Sequence, residues 1–470
     1  MGERMPPDQC NELEVDVAVI GGGLAGLATA VHLGRRGRRV VCIEARGWPR
    51  PAVGESLEFS APQLLAGLGV DIDIDQGRDR RHLFPKRAVR IVGDNEQFTV
   101  WPPAWFARPP IWCSRITFHT DRAELDHHVV GLAIEAGVEI LPERVSKVEH
   151  DHDVITGLAT DRRTRIRASW YIDATGHTRR LFGRALGLDM AVLGQPRAAG
   201  WGRYGEPPEN HATNLYFPDP TNDDLSWAWE IPLNGSEVSV GVVMSAASMS
   251  TMRRRGLQPQ RIFARQLATI PRLQRVVDRH PDVELLATTY TPYRYRRPVG
   301  PNWLLVGDAS AMVDPLTSNG VTSALRHAEQ AARTVSQALD DDGLKRRHAW
   351  AYRNTAPATV EAIERAIESF LYEPRVRQRL GLRWAVTLYA GTGVITNSLY
   401  AKLDPTSGLR SVACAAMLVT SRIWTRIASR AVARRERLPA VVDDYREPGP
   451  TAPGTPQATD PDEGTVGASV

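Results

Sequence analysis

Val15-Asp16-Val17-Ala18-Val19-Ile20-Gly21-Gly22-Gly23-Leu24-Ala25-Gly26 is the stretch that decides the fold. Residues 15–20 alternate and then run apolar, as a buried parallel strand does. The glycines lead into residues 24–37 (LAGLATAVHLGRRG), a predicted helix of small and apolar side chains, and then into residues 39–45 (RVVCIEA), a second buried strand. Strand, turn, helix and strand within about 30 residues make a βαβ unit. Gly21, Gly23 and Gly26 fit the pattern G-x-G-x-x-G. The first permits a tight turn, the second lets a diphosphate approach the backbone, and the third lets helix and strand pack closely. The helix start at Leu24 and Ala25 offers amide N–H groups and a positive dipole end to phosphates. Glu44 and Ala45 follow the second strand, where a ribose hydroxyl needs a carboxylate acceptor; a carboxylate there disfavours a 2′-phosphate, and so NADP. The expectation is a doubly wound α/β fold that binds a dinucleotide.

Composition bounds the rest. A chain of 470 residues holds two or three domains sharing a sizeable core. Its 42% apolar and 24% charged residues are those of an ordinary globular protein. A net charge of +4 is weak, and no basic run is interleaved with aromatics, so no nucleic-acid partner is expected. Cys10, Cys42, Cys113 and Cys414 show no CxxC spacing, which argues against a disulfide framework or a metal site and for a reducing, cytoplasmic setting. The polar, acidic N-terminus reads as neither signal nor transit peptide. No run reaches the roughly 18 apolar residues of a membrane span, so no transmembrane segment is expected. Strand-like segments dominate 196–292, notably 227–233 (WAWEIPL) and 237–244 (EVSVGVVM). Helices prevail from 320 to about 435, and the Pro-, Gly- and acid-rich tail at 439–470 is predicted to be disordered.

Three further motifs follow in order: Arg122-Ala123-Glu124-Leu125-Asp126, Tyr171-Ile172-Asp173-Ala174-Thr175-Gly176, and Gly307-Asp308-Ala309 with Asp314-Pro315 and Asn319-Gly320. With the glycine turn, they resemble the FAD-dependent family that includes p-hydroxybenzoate hydroxylase, the geranylgeranyl reductases and the flavin-dependent halogenases, over residues 14–340. The resemblance implies that Arg122 lies near the FAD, that the turn after Asp173 flanks the adenine half, and that Asp308 meets the ribityl chain. It also implies that the helix start at Asn319-Gly320 faces the isoalloxazine, where its dipole suits a reduced, negatively charged flavin. The implied architecture is α/β: an FAD-binding βαβ domain of the glutathione-reductase-2 type (14–180 and 290–340, with an insert at 60–112), an interleaved antiparallel-sheet substrate domain (181–289) and a helical C-terminal region (341–438). No second G-x-G-x-x-G is present, which implies either transient NAD(P)H contact or reduced flavin from a separate reductase.

Two features select a chemistry. Trp227-Ala228-Trp229-Glu230-Ile231-Pro232 fits WxWxIP, which resembles the mark of the flavin-dependent halogenases. Alternation on a strand puts both indoles on one face, and in the family they form a wall between flavin and substrate. Lys86 follows Gly54-Glu55-Ser56, about where the halogenases place an active-site lysine, with Ser56 on the cofactor side. An ammonium can hydrogen-bond hypohalous acid or become a chloramine, and burial would lower its pKa. The segment Asp314-Pro315-Leu316-Thr317-Ser318-Asn319-Gly320 has Thr317 where free-tryptophan halogenases carry a glutamate. It is more similar to phenol and pyrrole halogenases, with the amides of Asn319 and Gly320 as the halide site.

The resemblance thus implies halogenation of an electron-rich aromatic ring, as a small molecule or held on a carrier protein or peptide. FADH2 and O2 would give a flavin C4a-hydroperoxide, chloride or bromide would give hypohalous acid, and Lys86 would relay it past Trp227 and Trp229, with Thr317 and Ser318 at the site. Two alternatives stand beside it: a hydroxylase on the same scaffold, including one acting on a protein-bound Trp during quinone maturation, and a non-catalytic flavin-binding partner protein.

Overall fold

A computed structural model of the chain describes residues 11–402 apart from 51, 73–82, 101–115 and 342, and isolated positions at 412, 416, 420 and 423. The tail at 439–470, most of the helical stretch beyond 402, and Cys10, Cys113 and Cys414 lie outside the described residues.

The strand Asn11–Ile20 is central to the first sheet. It pairs in parallel with Val40–Ile43 on one side and along its whole length with Thr164–Asp173 on the other. Glu139–Leu141 extends the sheet beyond Val40–Ile43, and Trp303–Leu305 joins the far half of Thr164–Asp173, both in parallel. The near half of Thr164–Asp173 turns antiparallel with Val154–Thr160, which pairs with Val145–Asp151. Helices Leu24–Gly34, Arg122–Glu135 and Gly320–Asp340 cover one face through a core of small and branched residues, as a parallel sheet buried on its faces requires.

A second sheet of seven strands among the described residues runs in the order Leu286–Tyr290, Arg197–Tyr204, Val238–Ser245, Trp227–Pro232, Ala212–Tyr216, Ala88–Val92, Gln97–Val100. Its last two strands come from the expected insert at 60–112, so that segment supplies one edge of this sheet. Ala212–Tyr216 meets Ala88–Val92 in parallel; the other pairs are antiparallel. The side chains alternate. Trp227, Trp229 and Ile231 face one core, whereas Ala228 faces another.

Strands dominate 196–292 as expected, but the stretch also holds helices that the sequence did not announce. Three short helices, Ala246–Arg254, Pro259–Leu267 and Pro271–Arg279, lie within it. Met249, Ile262, Phe263, Leu267, Leu273 and Val276 are buried against the back of the sheet at helical, not strand, spacing. Phe263 lies so close over Gly200 that a Cβ there would be 2.2 Å from its ring. We predict that Gly200→Val destabilises the protein by about 1–3 kcal/mol through overpacking, measured as a lower urea midpoint with an unchanged slope; an unshifted midpoint would refute this packing.

Candidate active site

Three cavities adjoin one another. The first, about 690 Å³, opens at the C-terminal ends of the parallel strands and is lined by Gly21, Gly23, Ala25, Glu44 and Ala45. Gly21 has φ +105, and a Cβ there would lie 2.4 Å from the Ala174 carbonyl oxygen. A Cβ on Gly26 would come within 1.9 Å of the Gly21 carbonyl oxygen, whereas one on Gly23 would meet nothing. Gly23 caps the helix Leu24–Gly34 with no side-chain acceptor and no acid in the first turn, so the first amides of that helix have no intrahelical partner. Leu24 and Gly26 are buried beneath this turn. Glu44 accepts the Gly22 N–H (2.7 Å) through Oε2 and the Arg46 N–H (2.8 Å) through Oε1, and pairs with Arg50 at 3.1 Å. Arg46, Arg50, Arg144, Arg179, Arg184 and Arg253 make the cleft basic.

Thr288 lines both this cleft and a second chamber, which also receives Asp308, His177, Ser56, Gly320, Trp227 and Trp229. His177 is buried, and neither ring nitrogen has a hydrogen-bond partner among the described residues. Burial, then Arg180, pushes its pKa down to about 4, so the ring is neutral. The indoles of Trp227 and Trp229 lie 5.8 Å apart. Their N–H groups donate to Tyr372 Oη (2.8 Å) and Ser239 Oγ (3.3 Å).

A third cavity, about 260 Å³, holds Lys86. Thr213, Leu215, Leu316 and Ser318 line both it and the second chamber and so form the partition between them. The tryptophans line the second chamber, tethered to Tyr372 and Ser239. The helical segment after the kink at Gly381 (φ +80) supplies Val386, Tyr389, Ala390, Gly391 and Gly393 to the Lys86 cavity.

Lys86 reaches this place through strand pairing. Leu83–Lys86 pairs antiparallel with Thr117–Thr120, and residues 55–57 lie along the other side of Thr117–Thr120 through a Ser56–His119 bridge, Thr120 N–H to Glu55 O (2.7 Å) and Leu57 N–H to Phe118 O (3.0 Å). The Lys86 ammonium, 1% exposed, donates to Ser56 Oγ (2.8 Å) and Leu57 O (2.9 Å). Burial lowers its pKa to about 7, opposed by Glu58. Ser56 Oγ also accepts from Ser318 Oγ (3.1 Å). With both lone pairs used, Ser56 gives its own hydrogen to Thr213 Oγ1 (2.8 Å), and Thr213 gives its hydrogen to His119 Nε2 (2.9 Å). His119 is then neutral with its hydrogen on Nδ1, as burial, then Lys86 and His211, require by holding its pKa well below the imidazole range.

Ser318 stands at φ +56, and the turn around it straddles the partition: Thr317 and Asn319 line the Lys86 cavity and Gly320 the second chamber. Asp314 holds the turn. Its Oδ1 accepts the Leu316 N–H (3.0 Å), and its Oδ2 accepts Tyr290 Oη (3.0 Å) and Tyr372 Oη (3.1 Å). Its own N–H donates to Glu364 (2.7 Å), whose pKa burial and then Asp314 raise well above the carboxylate range.

Arg122 stands behind the second chamber, bonded to the backbone of Val53 in its lining. It lines none of the three cavities. Its guanidinium is fully buried, paired twice with Asp126 (3.0 and 3.1 Å) and bonded to Val53 O (2.7 Å), so it anchors the loop that leads to Ser56. Ser56, expected at the cofactor, lines the second chamber but spends its hydroxyl on Lys86, Ser318 and Thr213. His119, Thr213 and Glu58 were not singled out from the sequence; only the pairing of distant strands brings them to Lys86.

A family profile described as tryptophan halogenase matches residues 106–378, more than half of the chain. The chain belongs to the tryptophan halogenase family. A second profile, described as FAD-dependent oxidoreductase, matches residues 16–68, and the family makes the protein an FAD-dependent oxidoreductase. The chain is similar to the 1H-pyrrole-2-carbonyl-(peptidyl-carrier protein) brominase of Pseudoalteromonas luteoviolacea (strain 2ta16), at 26% identity over 70% of this chain and 79% of that protein. It is similar to the tryptophan 2-halogenase of Chondromyces crocatus at 27% identity over 69% of this chain, but spans only 61% of that relative. Its fold matches that of the flavin-dependent brominase Bmp2 with a TM-score of 0.66 and 22% identity, covering 83% of this chain and 98% of that one. No helix among the described residues is long and apolar enough to cross a membrane.

The FAD of this family fits the residues present. The open face of Gly23, the uncapped helix start and the basic rim suit a diphosphate, and the unpartnered His177 nitrogens beside Asp308 suit a polar chain passing from cleft to second chamber. We predict that Gly23→Ala folds normally but binds FAD at least about tenfold more weakly, because the methyl faces the diphosphate, whereas Gly26→Ala lowers the melting temperature of the apoprotein. Fluorescence titration with FAD and thermal melts separate the two; equal effects at both glycines would refute the assignment.

Proposed function

We propose that the protein halogenates an electron-rich aromatic ring, free or attached to a carrier protein or peptide, in the Lys86 cavity. The observation that carries this reading is the buried ammonium of Lys86, bonded through Ser56 to Ser318 in the partition between the two chambers. Kinship to a brominase of a carrier-bound pyrrole supports it.

Bound FAD, reduced and supplied with O2, would provide the oxidising power that turns chloride or bromide into hypohalous acid. The chain's own residues do the rest. The amides at Asn319 and Gly320, at the start of Gly320–Asp340, favour an anion. Lys86 has two acceptors in the wall, which leaves a third N–H for what enters the cavity, so it holds hypohalous acid by hydrogen bonding and polarises it toward the ring. Thr317, in place of a glutamate, suits a phenol or pyrrole better than a ring needing carboxylate activation.

We predict that Lys86→Ala lowers halogenation by about 100-fold or more while FAD content stays at the wild-type level. In the wild type the rate falls as pH rises through about 7, because the ammonium then loses the N–H that faces the cavity. Reduced FAD, O2, bromide or chloride and indole, phenol or 1H-pyrrole-2-carboxamide, followed by LC–MS, test both points. Oxygenated products without halogen would transfer the reading to hydroxylation.

A further inference from the structure

Glu58 lines the Lys86 cavity and is 6% exposed. Its Oε2 accepts the Ser60 N–H at 2.9 Å and the Ser60 hydroxyl. That hydroxyl itself accepts from Arg326 Nη2 (2.8 Å), so its hydrogen points at Glu58 and nowhere else. Both lone pairs of Oε2 are therefore taken. Oε1, equally buried, has no hydrogen-bond partner among the described residues. Lys86 attracts Glu58 electrostatically but directs N–H groups to Ser56 and Leu57 and forms no ion pair with it within 4.0 Å. A buried acceptor left without a donor is costly, so the cavity is built for an occupant that brings one. On the same cavity, Thr317 Oγ1 is also without a partner. Apolar and aromatic side chains, among them Phe59, Val89, Leu316, Val386 and Tyr389, make up much of the remaining wall beside the polar Thr213, Ser318, Asn319 and Thr387.

We propose that Glu58 selects the substrate: its Oε1 accepts a hydrogen bond from a ring N–H or O–H, which restricts the cavity to aromatic compounds of the indole, pyrrole or phenol type with that heteroatom unsubstituted. This rests on the cavity being the substrate site. Methylating the heteroatom removes the donor and leaves Oε1 buried and unpaired, and loss of a hydrogen bond that a site is built around is discriminated far more strongly than a change in apolar size.

Isothermal titration calorimetry of the FAD-loaded protein with indole against 1-methylindole, and phenol against anisole, tests this without turnover. The parent compounds are expected to bind at least about tenfold more tightly than their methylated forms. In Glu58→Gln the Ser60 donors retain the amide oxygen, so the amide N–H faces the cavity and the preference should disappear or invert, with FAD content and melting temperature as in the wild type. Equal binding of parent and methylated probes by the wild type, a preference that survives in Glu58→Gln, or no binding of any of the four overturns the proposal. Failure of the halogenation reading is separable: the Glu58-dependent preference would stand, but no probe would gain halogen on turnover.

Discussion

Lys86 holds an ammonium out of water, and much of the site follows from how that is tolerated. A desolvated cation needs acceptors, and the two it has, Ser56 Oγ and Leu57 O, exist at that spot only because residues 55–57 run along Thr117–Thr120 while Leu83–Lys86 pairs on its other side. The same Ser56 hydroxyl reaches Ser318 and Thr213, so one hydrogen-bond centre fixes the lysine, the turn before Gly320–Asp340 and the strand Ala212–Tyr216 of the second sheet together. Arg122 contributes from further back. By pairing with Asp126 and holding Val53 O, it fixes where the loop to Ser56 begins.

The C-terminal helices are part of this construction. Arg197 stacks on Tyr372 (3.4 Å) and pairs with Glu368 at 2.7 Å, while Tyr372 links Trp227 to Asp314. Tyr372 ends a π-helical turn, Ile367–Tyr372, a distortion that re-aims side chains and is frequent at functional sites. Three carboxyl groups, Asp314, Glu364 and Glu368, share one arginine there, and burial together with the Asp314 charge drives Glu364 toward its protonated form. The turn carrying Ser318 and Asn319 is thus held from the sheet by Tyr290 and from the helices by Tyr372 and Glu364.

The nucleotide half of the fold was legible in the sequence because its constraints are local. Gly21 and Gly26 are where a Cβ collides with backbone, and Gly23 is where space is left, each readable from spacing alone. The alternation of Trp227 and Trp229 likewise gave their common face. What escaped depends on partners far along the chain. Arg122 sits in a recognisable motif, but the motif does not reveal that Asp126, one turn on, consumes its charge. His119 and Thr213 carry no pattern and gain meaning only when strands 94 residues apart meet at a hydrogen bond. The helices at 246–279 were hidden because strong strand signals flank them, although Ile262, Phe263 and Leu267 keep helical spacing. The partition between chambers carries no sequence pattern for the same reason: which cavity a strand side chain reaches depends on what is packed opposite it.

The central claim is that Lys86 is desolvated in the wall and poised between charged and neutral near physiological pH. Its titration can be followed directly by NMR of the lysine side-chain carbons, with Lys86→Arg used to assign the signal. A midpoint near 7 that moves when Ser56 is replaced by alanine is the predicted result. A midpoint near 10.5, the value of a solvated lysine, indifferent to Ser56, would contradict the account.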